Sequence, residues 1–267
     1  MKNKILFTIY SVLALAVIIA SRFVKITVFN DEIYDGYVND VVCYAAAFPV
    51  FAVLIKRLGY RLFTGKRAGG AWLCFAVAML VAVNNFPFIV FFKGEAEFAC
   101  GDFMKITLFA VYCFSVAAFE ELLFRGFVFN YATERLITKR GGIIKAIIYS
   151  SLVFGAAHLL NLLSGAVFLP TLGQAGYTTL IGALCAFVLF KTRNLIFPLL
   201  VHGVYNFCGL CLTQNGLGGG FVLDTETIVL TAVAGVAVGA FVLTKLLKTR
   251  EEEISDYAAA CLNVGRE

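Results

Sequence analysis

The sequence predicts an all-α, polytopic membrane protein, with about eight transmembrane helices forming one integral membrane domain over residues 1–267. Three observations carry that prediction. Apolar residues make up 61% of the chain and charged residues only 15%, with a mean hydropathy of +0.88; a soluble domain carries about a quarter charged residues. The apolar residues fall in long unbroken runs, close to the roughly 20 needed to cross hydrocarbon as a helix. A transmembrane β-barrel would show short alternating segments instead. Finally, the connections between runs alternate between basic and acidic.

Taken in order, the runs are 5–24, 39–55, 71–92, 104–125, 143–163, 175–190, 195–213 and 227–247. Lys2 and Lys4 ahead of the first run resemble the start of a signal peptide. The run is long, however, and the charge alternation needs a crossing here, so we read a transmembrane helix. The fourth run continues as helix towards Lys139, because residues 126–138 contain no Pro and no internal Gly. Residues 216–220 read as a flexible external loop, and 250–267 as a short, charged, loosely ordered cytoplasmic tail. No internal repeat and no linker to a second domain are visible.

The loop charges orient the runs. With the N-terminus inside, one side holds Lys2 and Lys4; Lys56, Arg57, Arg61, Lys66 and Arg67; Arg135, Lys139 and Arg140; Lys191 and Arg193; and Lys245, Lys248, Arg250 and Arg266. The other holds Arg22, Lys25, Lys93 and Lys105, together with the acids Asp31, Glu32, Asp35, Glu95, Glu97, Asp102, Asp224 and Glu226. Lys and Arg mark cytoplasmic loops, so both termini are expected in the cytoplasm, below the plasma membrane if the cell is bacterial. The net charge of +5 is loop charge of this kind and does not indicate a nucleic-acid partner. Cys43, Cys74, Cys113, Cys185, Cys208 and Cys211 lie in apolar runs, where a thiol acts as a small hydrophobe.

Polar residues inside the runs mark a site. Glu120, Glu121 and Arg125 interrupt apolar sequence, and each such charge costs about 2.5–3.5 kcal/mol to insert. Glu121 and Arg125 are four apart and can pair on one helix face. Glu120 points elsewhere and is left for chemistry. The fifth run holds Phe154, His158 and Asn161, and the seventh holds His202 and Asn206. These are the chain's only histidines, each with an Asn one turn on. A carboxylate, two imidazoles and an amide suit amide hydrolysis by water: Glu can take a proton, His can share it, and Asn can donate to an oxyanion. A naive count leaves His202 and His158 about 12 Å apart in depth. The gap closes if the fifth helix starts outside the membrane or the seventh starts inside it.

Glu-Glu-x-x-x-Arg, then Phe-x-x-x-His, then His-x-x-x-Asn, on successive apolar runs over about residues 104–210, resembles the CPBP family (formerly Abi) of type II CAAX-prenyl and bacteriocin-processing intramembrane proteases. The resemblance implies an intramembrane endopeptidase acting on prenylated CAAX-like or bacteriocin-type substrates, or a bacteriocin immunity role. By it, Glu120 activates water with help from His158, His202 and Asn206 stabilise the oxyanion, and Glu121 and Arg125 support them; Phe154, four residues before His158, and Asn161, on the same helix face as His158, are read as further supporting residues. No cofactor is favoured; zinc held by Glu120, His158 and His202 is the alternative. The implied partners are a hydrophobic or lipidated peptide and membrane lipid. The expected site is a cavity open to the cytoplasm, with Phe119, Phe124 and Phe154 as candidate walls. Rival readings are a non-catalytic scaffold or immunity protein, a transporter using the acids and histidines as a proton relay, and a thiol mechanism through Cys113.

Overall fold

The computed structural model describes residues 2–21, 23–99, 101–138, 141–214, 216–220 and 225–262. Arg22, Lys139, Arg140, Asp224 and Arg266, used in the charge argument, lie outside the described residues, as do 263–267 of the tail. The fold is a helical bundle with no strand among the described residues. Its helices are α1 (Lys2–Ser21), α2 (Glu32–Leu58), α3 (Ala71–Asn84), α4 (Phe88–Phe92), α5 (Phe103–Glu121), α6 (Asn130–Leu136), α7 (Gly142–Ala157), α8 (Phe168–Thr192), α9 (Ile196–Leu210), α10 (Thr225–Leu247) and α11 (Glu251–Cys261).

Local chemistry sets several boundaries. Asp31 and Asp102 cap α2 and α5 by accepting hydrogen bonds from first-turn N–H groups. Gly59, at φ 85°, ends α2 in the left-handed conformation that favours glycine. Residues 32–58, 103–136, 142–164 and 168–192 are long and apolar enough to cross a membrane, while 71–84, 196–210 and 233–247 form shorter apolar helices. Helices therefore stand where the runs predict them, and the count of eight crossings rests on the charge pattern.

Three details differ from expectation. The third run is not one helix: Pro87 follows the Asn84-Asn85 end of α3, and the chain restarts as α4. The fifth run changes character at His158, where α7 gives way to a 3₁₀ segment, His158–Ser164. The tail is helical over Glu251–Cys261. Tyr257 and Cys261 are buried, Tyr257 donates its hydroxyl to Asn130 Oδ1 at 2.7 Å, and Glu253 and Asp256 pair with Lys191 and Arg193. The negative charges that made this segment look like a solvated tail are its partners for the end of α8.

As expected, the fourth run is continuous helix from Phe103 to Leu136, but its middle, Leu122–Phe129, is π-helical. Asn130 and Thr133 donate to the carbonyls of Gly126 and Phe129, satisfying groups around that irregular stretch.

The bundle has two distinct poles. At one, the backbone of residues 61–68 bonds to that of Lys191, Arg193, Leu195 and Cys261, and Tyr60 donates to Glu134. This pole carries the basic connections. At the other, Ala99 bonds to Leu217, and Lys93 pairs with Glu226. This pole carries the acidic connections.

Candidate active site

Glu120 and Glu121 close α5, immediately before the π-helical stretch. His202 and Asn206 lie on α9, which packs against α5. That contact depends on Gly203: a Cβ there would stand 2.4 Å from the Phe114 ring. Phe154 lies in the last turn of α7, and His158 opens the 3₁₀ segment. The depth mismatch closes through a stagger of the two helices, which fits either expected route. Phe154, twelve residues into α7, stacks edge-on against His202, six residues into α9, at 5.7 Å. The start of α7 therefore stands about 9 Å further out than that of α9.

Glu121 is fully buried and Arg125 is 1% exposed. Arg125 Nη1 lies 2.9 Å from Glu121 Oε1, the pairing the spacing predicted. The same oxygen lies 2.8 Å from His202 Nδ1, which donates to it. The other ring nitrogen, Nε2, lies 3.5 Å from Glu120 Oε2. His202 thus bridges the two carboxylates, an arrangement the helical spacing alone does not reveal. Phe154 is the packing centre beneath them. The Arg125 guanidinium sits over its ring at 4.4 Å, and the His158 ring meets it edge-on at 4.9 Å. His158 Nδ1 lies 3.0 Å from the Phe154 carbonyl, which leaves Nε2 for the cavity. Asn161 Nδ2 donates to Gln174 Oε1 at 3.0 Å.

Above this floor lies a cavity of about 770 Å³ lined by Glu120, His158, Asn161, His202 and Asn206, within the usual range for a ligand site. Glu121, Arg125 and Phe154 lie under it. A second, small cavity of about 60 Å³ touches Glu120 and His158 together with Phe119 and Phe124. Two of the three expected aromatic walls therefore belong to the side pocket, and Phe154 to the floor.

Sequence reasoning missed Tyr112, Gln174, Tyr177, Thr178, Tyr205, Asn84, Asn85 and Asp40 on the cavity wall. Some signal existed. Tyr112, Val116 and Glu120 repeat at every fourth residue, and Gln174, Tyr177 and Thr178 form a polar stripe at helical spacing. Cys113 is off the cavity, fully buried in a separate cluster with Phe109 and Cys211, so the thiol reading has no geometry behind it.

The cavity does not open towards the basic pole as expected. Its exposed rim is formed by Asn84, Phe88, Ser164, Gly165 and Ala166, at the acidic-pole ends of their elements. Towards the basic pole, residues 121–127 are all buried and pack with Phe51, Ile55 and Phe129 in the main core.

Residues 102–208 match the family described as type II CAAX prenyl endopeptidase Rce1-like. The match encloses every site residue from Glu120 to Asn206. The match supports assigning that stretch to the CPBP family. Comparison with curated proteins and with solved structures returns no match. The family match, together with the apolar helices, points to an integral membrane protein and to CAAX-type intramembrane protease activity. For the zinc alternative, no three His, Cys, Asp or Glu side chains gather as a metal ion requires among the described residues. Glu120, His158 and His202 share the cavity without forming such a set.

Proposed function

We propose that the protein is an intramembrane endopeptidase in which Glu120 activates water without a metal. The observation that carries this reading is the bridged pair of carboxylates under a cavity shared by both histidines. Glu121 is committed to Arg125 and to His202 Nδ1. Glu120 faces the cavity, with 22% of its side chain exposed, so water can reach it.

The steps follow from the groups present. Glu120 takes a proton from a water that His158 helps to orient, and the oxygen attacks the peptide carbonyl carbon. The oxyanion is met by Asn206 Nδ2–H and, in the doubly protonated form of His202, by Nε2–H. Glu120 then returns the proton to the departing amine as the C–N bond breaks. Glu121 fixes the His202 ring by accepting from Nδ1–H, and Arg125 holds Glu121. General-base catalysis contributes about 10²–10⁴-fold, and one oxyanion donor about 10²–10³-fold.

The test is cleavage of a prenylated CAAX peptide, and of an unlipidated peptide, by purified protein in liposomes, with a Glu120→Gln control. That variant keeps size and removes the base, so cleavage should fall by at least two orders of magnitude. Normal cleavage by Glu120→Gln would move the scaffold or immunity reading ahead.

A further inference from the structure

The opening of the cavity and the spread of positive charge lie along the same axis of the molecule. Each element that lines it does so with the part nearer the acidic pole: Tyr112 and Val116 before Glu120 on α5, the end of α3, the segment Ser164–Ala166 and the start of α8. The opposite direction is closed by buried side chains. Among the described residues thirteen of the loop and tail Lys and Arg counted above stand at the basic pole, and three, Lys25, Lys93 and Lys105, at the acidic pole. Lys and Arg are retained on the cytoplasmic side, and the bias is read from short loops near the span ends, which these are.

We infer that the site faces away from the cytoplasm, so that its substrate is a peptide segment presented at the non-cytoplasmic surface rather than a cytosolic lipidated tail. The inference rests on the peptidase reading and changes which peptide it serves. The cavity wall agrees with it. Glu120 and Asp40 line the cavity and no Lys or Arg does, among the described residues. A free C-terminal carboxylate, which a processed tail ends in, meets no Lys or Arg there among the described residues. Neutral or basic side chains do meet complementary groups: the carboxylates, the amides of Asn161 and Gln174, and the hydroxyls of Tyr177 and Tyr205. The cavity also has apolar wall, from Val116, Ile181 and Leu210, which an apolar peptide segment can cover.

The test needs no activity. In a chain with its native cysteines replaced, Ala166→Cys marks the cavity rim and Lys66→Cys the basic pole. A membrane-impermeant maleimide applied to intact cells should label Ala166→Cys, and should label Lys66→Cys only after permeabilisation. The reverse pattern overturns the inference while leaving the peptidase reading untouched. If the cysteine-replaced chain fails to fold, fusions to the native chain decide the matter. A fluorescent protein that matures only in the cytoplasm should light up at the C-terminus, and an epitope inserted after Gly219 should bind antibody on intact cells; a dark fusion or a hidden epitope overturns the inference. The charge preference is read separately in liposomes, with two unlipidated peptides differing only in Lys or Glu beside the cleaved bond. The Lys peptide should be cut at least fivefold faster, and equal or reversed rates overturn the substrate assignment. Failure to cut either peptide, with correct labelling, counts against the peptidase reading alone.

Discussion

Replacing Arg125 with Ala tests the role of the buried ion pair. Arg125 and Glu121 are 1% and 0% exposed, so water does little to weaken their attraction. Removing the guanidinium leaves a buried carboxylate whose remaining partner is the His202 Nδ1–H. Breaking a buried pair from one side costs about 3–5 kcal/mol. Because His202 still donates to Glu121, the lower end, about 3 kcal/mol, is the working figure. In a chain of this size each kcal/mol shifts the melting temperature by roughly 2–4 °C, so Arg125→Ala should melt roughly 6–12 °C below the parent in detergent. Loss of the cation over Phe154 acts in the same direction. The double variant Glu121→Gln, Arg125→Met removes both charges and should recover most of that loss, yet stay inactive because His202 has lost its carboxylate. The assays are thermal unfolding and peptide cleavage on the same preparations. An Arg125→Ala protein that is inactive but melts with the parent would refute the supporting role and make Arg125 part of the chemistry.

The remaining predictions test the packing that delivers the site. Gly203→Ala places a Cβ 2.4 Å from the Phe114 ring; it should cost about 1–3 kcal/mol and depress cleavage by displacing His202. Gly239→Ala, with nothing within 4 Å, should leave both the melting temperature and cleavage unchanged. Tyr257→Phe leaves Asn130 Oδ1 without its hydroxyl donor and should cost about 1–3 kcal/mol by thermal unfolding, showing that α11 is part of the fold. Burial pushes the Cys261 thiol from 9.0 up to about 12. A group held protonated in the folded state stabilises fully below pH 9, and that contribution fades as pH rises towards 12. Cys261 should therefore resist alkylation at pH 8 until the protein is unfolded, and stability should fall across pH 9–12 less steeply in Cys261→Ala.

How much of this was legible depends on how local the signal is. The site motifs are local in sequence, and apolar helices preserve spacing. Glu121 and Arg125 pair because they are four apart, and Phe154 meets His158 for the same reason. That His202 would bridge Glu120 and Glu121 was not legible, because the residues are 81 apart in the chain and α9 reaches α5 only through a fit such as Gly203 against Phe114. The ordered tail escaped for a similar reason. Glu253 and Asp256 look solvated in sequence, and only the folded chain brings Lys191 and Arg193 to them.

By itself, then, the sequence determined the class of fold, the position of the apolar helices, a set of candidate polar residues within them and the uneven spread of charge. Each follows from composition or short-range periodicity, which hydrocarbon and backbone hydrogen bonding impose on any chain. The tertiary structure decided which carboxylate the histidine ties down, which side chains wall the cavity, and at which pole it opens. Those depend on how helices distant in sequence pack. The core closes one end with Phe51, Ile55, Phe127 and Phe129, and the break at Pro87 and the 3₁₀ turn after His158 leave the other end open.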